Sequence, residues 1–108
     1  MENKRVVIAL GGNAIQSDDA TAEAQQKALR KTAEQLIDII KNGYQVAITH
    51  GNGPQVGNIL LQQINSDCSE TPAMPLDTCG AMSEGMIGYW FDNEVDVVLN
   101  QHGIDKDV

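Results

Sequence analysis

Two short glycine loops hold the residues in this sequence best suited to chemistry. Gly11-Gly12-Asn13 directly follows the apolar run Val6-Val7-Ile8-Ala9-Leu10, and Gly51-Asn52-Gly53 follows Val46-Ala47-Ile48-Thr49-His50. Glycine has no Cβ, so backbone N–H groups beside it can approach a ligand closely. Pro54 fits the first position of a new helix, where its missing N–H costs nothing. A helix start presents unpaired N–H donors and the positive end of the dipole. If the two apolar runs are strands of one parallel sheet, both loops lie at its carboxyl edge, where ligands bind. Two such loops facing one cleft suit a small anion such as a phosphoryl or carboxyl group. A lone Gly-Gly after a strand is usually only a tight turn, and the matched pair is the stronger signal. Neither loop has the GxGxxG or P-loop pattern, so no dinucleotide or Walker-type site is expected.

Other polar residues have two readings each. Asn13 and Asn52 can hydrogen-bond a substrate, or they can serve loop geometry, because Asn tolerates left-handed backbone. His50 can act as a general base beside the loops, or it can be a partly buried histidine bonded to neighbouring backbone; the second is preferred. His102 stands at a helix end and favours the dipole there. Asp77-Thr78 is most simply a helix cap. Cys68 and Cys79 have no metal-ligand or CxxC spacing and are expected as two reduced thiols.

The elements that must position these loops follow from periodicity. Residues 5–10 are short, β-branched and glycine-stopped, the pattern of a buried parallel strand. From about residue 22 to 42 the pattern is helical, with Leu29, Ala33, Leu36, Ile37 and Ile40 on one stripe. Gly43 supplies its cap. Residues 45–49 form the second strand, and a helix runs from Pro54 to about Asn65. Residues 66–71 are a polar loop. The Pro72-Ala73-Met74-Pro75 segment is extended, since residues before proline avoid the helical region. A long helix covers about 79–101 and ends at Gly103. Residues 104–108 look like the lead-in to a further strand. The order strand, helix, strand, helix, helix predicts an α/β fold with parallel neighbours.

Composition excludes several classes. The 108 residues carry a formal net charge of −8 and 42% hydrophobic residues, which fits a globular chain. Nucleic acid and anionic membrane are unlikely partners, because phosphate-backbone binding needs a field of Lys and Arg. No apolar run approaches the roughly 20 residues that span a bilayer. Met1-Glu2-Asn3-Lys4-Arg5 runs into the first strand without a signal-peptide pattern, so a cytoplasmic protein is expected.

Three longer stretches resemble motifs of carbamate kinases, within the amino-acid kinase family. They are Val7-Ile8-Ala9-Leu10-Gly11-Gly12-Asn13-Ala14, then Thr49-His50-Gly51-Asn52-Gly53-Pro54-Gln55-Val56-Gly57-Asn58, then Met74-Pro75-Leu76-Asp77-Thr78-Cys79-Gly80-Ala81-Met82-Ser83 with Gly85-Met86-Ile87-Gly88-Tyr89-Trp90. The resemblance covers nearly the whole chain. It implies a three-layer α/β sandwich with a mostly parallel sheet. It also implies phosphoryl transfer between ATP and carbamate, or ATP formation from carbamoyl phosphate and ADP, with Mg2+. The breakdown of arginine or related compounds is the implied setting. Carried over, Gly11, Gly12, Asn13, Gly51, Asn52 and Gly53 would hold the phosphoryl group and the acceptor. Ala9 stands where many relatives in the wider family have a lysine, as the carbamate kinase pattern has it, with the lysine coming from a later segment.

By the same resemblance, residues 1–108 are the N-terminal substrate-binding part, and a lid-like subdomain and nucleotide-binding lobe would lie beyond Val108. None of the basic residues Lys4, Arg5, Lys27, Arg30, Lys31, Lys41 and Lys106 lies in either loop. Phosphoryl transfer depends on cationic stabilisation of spreading charge. No catalytic or metal-binding residue is therefore assigned within the chain, and the 108 residues alone are expected to be inactive. The alternative is a truncated, non-catalytic module that binds an anion or dimerises. The 79–101 helix is apolar over Met86, Ile87, Tyr89, Trp90 and Phe91, with Asp92, Glu94 and Asp96 interrupting. Gly85 and Gly88 within it suggest close approach of another backbone. Aromatic and Met residues are enriched at interfaces, and family members pair through the corresponding helix, so a homodimer is expected.

Overall fold

The β-branched run that opens the chain becomes strand β1, Arg5–Leu10, in the computed structural model. The structure describes residues 4–108, and the lead-in Met1 to Asn3 lies outside them. A single helical turn, α1 (Gly12–Ile15), follows at once. Then come α2 (Ala22–Lys41), β2 (Gln45–His50), α3 (Gln55–Asn65) and α4 (Leu76–Gln101). The strands pair in parallel without offset, from Arg5 opposite Gln45 to Leu10 opposite His50. The second strand thus runs one residue further than the sequence pattern suggests, because His50 completes the ladder with Leu10.

Both strands alternate exposed and half-buried residues. Ile8, Leu10 and Ile48 pack against the helical core. Val7 points the other way and is 69% exposed. The expected strands buried on both sides are therefore covered on one face by the described residues, which supply a helical layer on that side of a parallel α/β sheet. The radius of gyration is 16.3 Å, against roughly 13 Å for a compact domain of this length. The chain is elongated, 59 × 25 × 23 Å, and the 26-residue final helix, Leu76–Gln101, is alone about 39 Å long.

Helix α2 begins where a threonine can cap it: Thr21 accepts from the Ala24 N–H at 3.3 Å. It ends at Gly43, whose φ of +87° is the left-handed cap that glycine tolerates. Leu29, Ala33, Leu36 and Ile37 are buried on the expected stripe. They meet Ile87, Phe91, Val95, Val98 and Leu99 of α4 in one core cluster. Each of these side chains larger than Ala33 contributes roughly 1.5–3 kcal/mol by leaving water.

Helix α4 departs from expectation in two ways. It begins at Leu76 after Pro75, so Asp77 and Thr78 sit inside its first turn rather than capping it. The proline ends the extended segment, and the Asp77 carboxylate instead accepts from the Thr78 N–H at 2.9 Å. Glu94 does not interrupt the apolar face from the solvent side; it is 8% exposed and accepts from Arg30 Nε of α2 at 2.5 Å. On the same helix, Gly85 faces open space, and a Cβ at Gly88 would stand 3.7 Å from His50 Nε2. Neither glycine meets another backbone among the described residues; at Gly88 the neighbour is the imidazole ring.

Past α4, Gly103 turns the chain at φ +66°. The Ile104 N–H donates to Leu99 O at 2.9 Å, and Ile104 packs on the core. Residues 104–108 form no strand. With Val46, Ile48 and Phe91, residues 106–108 line an open groove of about 500 Å³ between β2 and α4. No helix among the described residues is long and apolar enough to cross a membrane.

Candidate functional site

Because β1 and β2 are parallel neighbours ending opposite each other, Gly11 and Gly51 leave the sheet side by side at its carboxyl edge. That juxtaposition needs both strands, and it brings the two glycine loops together as expected. Gly11 is extended, with φ −78° and ψ 177°, and serves as the N-cap of α1. A Cβ at Gly11 or Gly51 would meet nothing within 4 Å, so the approach to both loops is open. Gly53 has φ +54°, a left-handed value that disfavours any side chain. Pro54 follows at φ −72° as the N-cap of α3, so the helix begins one residue later than expected. The first N–H groups of α1 and α3 have no intrahelical partner by geometry, so they are available to a ligand.

The two asparagines part company. Asn13 is exposed on α1, whereas Asn52 is half-buried with an Oδ1 that has no hydrogen-bond partner. The Asn52 Nδ2 lies 3.6 Å from where a Cβ of Gly80 would stand, so α4 approaches the second loop at a glycine. No non-glycine residue among those described has positive φ. The left-handed explanation of Asn13 and Asn52 therefore fails, and their side chains remain as candidate ligand contacts. His50 Nδ1 lies 2.8 Å from Gly51 O, so the histidine is bonded to its own backbone neighbourhood as preferred above.

Sequence reasoning missed two residues that hold the loops. Gln55 is 3% exposed, and its Nε2 donates to Ile15 O at 2.8 Å, joining the second loop to the end of α1. Thr32 of α2 is 8% exposed, and its hydroxyl lies 2.6 Å from Ala14 O and 3.3 Å from Ala28 O. Neither had a signal in the sequence, because the burial that obliges a polar side chain to find a partner appears only in the fold. The partner of Gln55, 40 residues away, has no trace in local pattern.

The surroundings are not cationic. Lys4 stacks over the Tyr44 ring at 5.8 Å, and Arg5 Nε donates to Gln45 Oε1 at 3.0 Å, both at the opposite end of the strands. Beside the second loop, Asn52, Leu76, Asp77, Gly80 and Glu84 line a cleft of about 490 Å³ that includes two carboxylates. No group of three His, Cys, Asp or Glu residues that could hold a metal ion occurs among the described residues. The site can thus offer backbone donors, glycine clearance and amide side chains. Any positive charge for a phosphoryl group must come from elsewhere.

Away from the site, Cys68 and Cys79 are both free, one exposed and one buried. The Thr71 hydroxyl, 3.1 Å from Cys68 Sγ, holds that thiol below its ordinary range, and backbone hydrogen bonds from Thr71 and Glu70 act the same way.

Known proteins share this sequence and fold. The amino acid kinase family model matches residues 4–104. A carbamate kinase of Oenococcus oeni is 58% identical over 106 residues, covering 98% of this chain and 34% of that protein. One of Latilactobacillus sakei is 56% identical over 108 residues, covering 100% of this chain and 34% of that protein. The solved carbamate kinase from Giardia lamblia bound to AMP-PNP is 42% identical with a TM-score of 0.88, over 96% of this chain and 37% of that one. The chain therefore spans about a third of the length of the relatives it matches.

Proposed function

The chain belongs to the amino acid kinase family, and from that premise we propose that it forms the substrate-binding part of a carbamate kinase-like phosphotransferase. The reaction moves a phosphoryl group between ATP and carbamate, or from carbamoyl phosphate to ADP. The observation that carries this reading is the pair of glycine loops leaving neighbouring parallel strands side by side. Gly11, Gly12, Asn13, Gly51, Asn52 and Gly53 hold the phosphoryl group and the acceptor. The first-turn N–H groups of α3 present a positive dipole end to the anion, and the α1 turn adds backbone donors. Glycine clearance lets its oxygens reach the backbone, and the Asn13 and Asn52 amides add contacts.

AMP-PNP in the Giardia lamblia relative supports a nucleotide as co-substrate. Mg2+ would accompany the nucleotide phosphates, held by them together with one or two carboxylates. The described residues lack a cation in either loop. Several stabilising groups would be missing, and removing one well-placed donor costs about 10²–10³ in rate. The 108 residues alone accordingly bind the anion without turning it over. The breakdown of arginine or related compounds, a cytoplasmic location and a homodimer through α4 complete the reading. Tyr89 at 66% exposed and Met82 at 38% supply apolar surface for that pairing.

The test is a coupled assay for ATP formation from carbamoyl phosphate and ADP, run on the native polypeptide carrying this sequence and on the 108 residues alone. Activity in the native protein only is the expected result. Turnover by the 108 residues would refute their dependence on outside cations. No activity in the native protein would favour the non-catalytic binding or dimerisation module. A monomeric mass by light scattering at micromolar concentration would remove the homodimer.

A further inference from the structure

We propose that Thr32 and Gln55 are positioning residues, a two-point clamp that sets the first glycine loop against the second. This rests on the anion-site reading above. Helix α1 is a single turn of four residues, and one turn does not sustain itself in water. Its last carbonyls have no intrahelical donor. Ala14 O accepts from the Thr32 hydroxyl at 2.6 Å, and the adjacent Ile15 O accepts from Gln55 Nε2 at 2.8 Å. The donors come from two different helices, α2 and α3, and both side chains are more than nine-tenths buried. The turn bearing Gly12 and Asn13 is therefore gripped from its far end by fixed, water-excluded donors.

Gln55 also touches the second loop. A Cβ at Gly53 would press on Gln55 Oε1, so the amide lies directly against that glycine. The same Oε1 is buried with no hydrogen-bond partner. A buried acceptor left unpaired is a stability cost that an apolar side chain of similar length would avoid. A local rule broken in this way points to a positional role beside the stabilising bond to Ile15 O. The clamp fixes the spacing between the N–H groups of the two loops, which an anion bridging them must match.

The test is ¹⁵N NMR titration of the native polypeptide carrying this sequence with sulfate, following the backbone amides of Gly11, Gly12, Asn13, Gly51 and Gly53. The variants are Thr32→Val, Thr32→Ser, Gln55→Met and the double Thr32→Val/Gln55→Met. Each loss of a clamp bond weakens sulfate binding by roughly fivefold, the equivalent of one net hydrogen bond. Thr32→Ser keeps the hydroxyl and binds like the unaltered chain. The double variant loses less than the product of the two, since both bonds hold one turn. Variants that lower the melting temperature but bind sulfate unchanged would overturn the clamp and leave the anion site intact. An unaltered chain that moves no loop amide on sulfate addition would overturn the anion site itself, and the clamp with it. Should Gln55→Met fail to fold, the contrast between Thr32→Val and Thr32→Ser decides.

Discussion

Replacing Gly53 with alanine should damage the molecule in a way that replacing Gly43 does not. Both glycines are left-handed, at φ +54° and +87°. Alanine in that region costs roughly 1–2 kcal/mol relative to its ordinary conformations. At Gly43 that is the whole effect, because a Cβ there meets nothing within 4 Å. At Gly53 the new methyl also presses on Gln55 Oε1 and comes 3.5 Å from Ile15 Cδ1. The glutamine tip is flexible in principle, but here it is buried and tied by its Nε2 to Ile15 O. Moving it breaks that bond and leaves a buried carbonyl without a donor, a further cost of about 1–3 kcal/mol. Gly53→Ala therefore totals about 2–5 kcal/mol, against a whole-domain stability of roughly 5–15 kcal/mol. The excess over Gly43→Ala corresponds to at least about 4 °C in Tm for a domain of this size. Thermal and urea unfolding followed by circular dichroism measures both variants side by side. Equal destabilisation of the two would refute the claim that Gln55 packs immovably between the loops.

Three further outcomes follow from other contacts. Gly11→Ala should leave stability within about 0.5 kcal/mol, since φ is −78° and the space is open, yet weaken anion binding by blocking the approach; calorimetric titration with sulfate separates the two effects. Arg30→Ala should cost about 1–3 kcal/mol by stranding the Glu94 carboxylate, whose side chain is 11% exposed, while the outer location of Arg30 at 44% keeps the loss below that of a fully buried pair; a Glu94→Gln variant that destabilises more than Arg30→Ala in urea would count against this. Cys68 should alkylate at lower pH than an unperturbed thiol, because the Thr71 hydroxyl stabilises its thiolate. In Thr71→Val the folded-state pKa rises, so the rate profile shifts to higher pH. Buried Cys79 should react only on unfolding, and mass spectrometry of the alkylated chain reads both sites.

Local pattern was enough for the elements and for the two loops. β-branched residues stopped by glycine marked β1 to the residue, and the 3.6-residue stripe through Leu29, Ala33, Leu36 and Ile37 marked α2 and its buried face. These signals lie within one strand or a few turns, where each residue's neighbours are its sequence neighbours. The glycine loops were legible for the same reason, as punctuation directly after strands. The inward turn of Glu94 was not legible. A charge on an apolar helix reads as solvent-facing until its partner is known, and Arg30 lies 64 residues away. The start of α4 also escaped, because Pro75 and the Asp77 carboxylate compete to set the first turn, and only the folded backbone resolves them.

The sequence by itself determined which residues form strands, which helical face is apolar and where glycine opens the backbone, since periodicity and the missing Cβ are local properties. Tertiary structure alone decided that Leu10 stands opposite His50, that Gly80 admits α4 to Asn52, and that Thr32 and Gln55 grip α1. Each of those depends on a contact between distant parts of the chain, and the hydrogen bonds and clearances that specify it exist only once the core has brought the elements together.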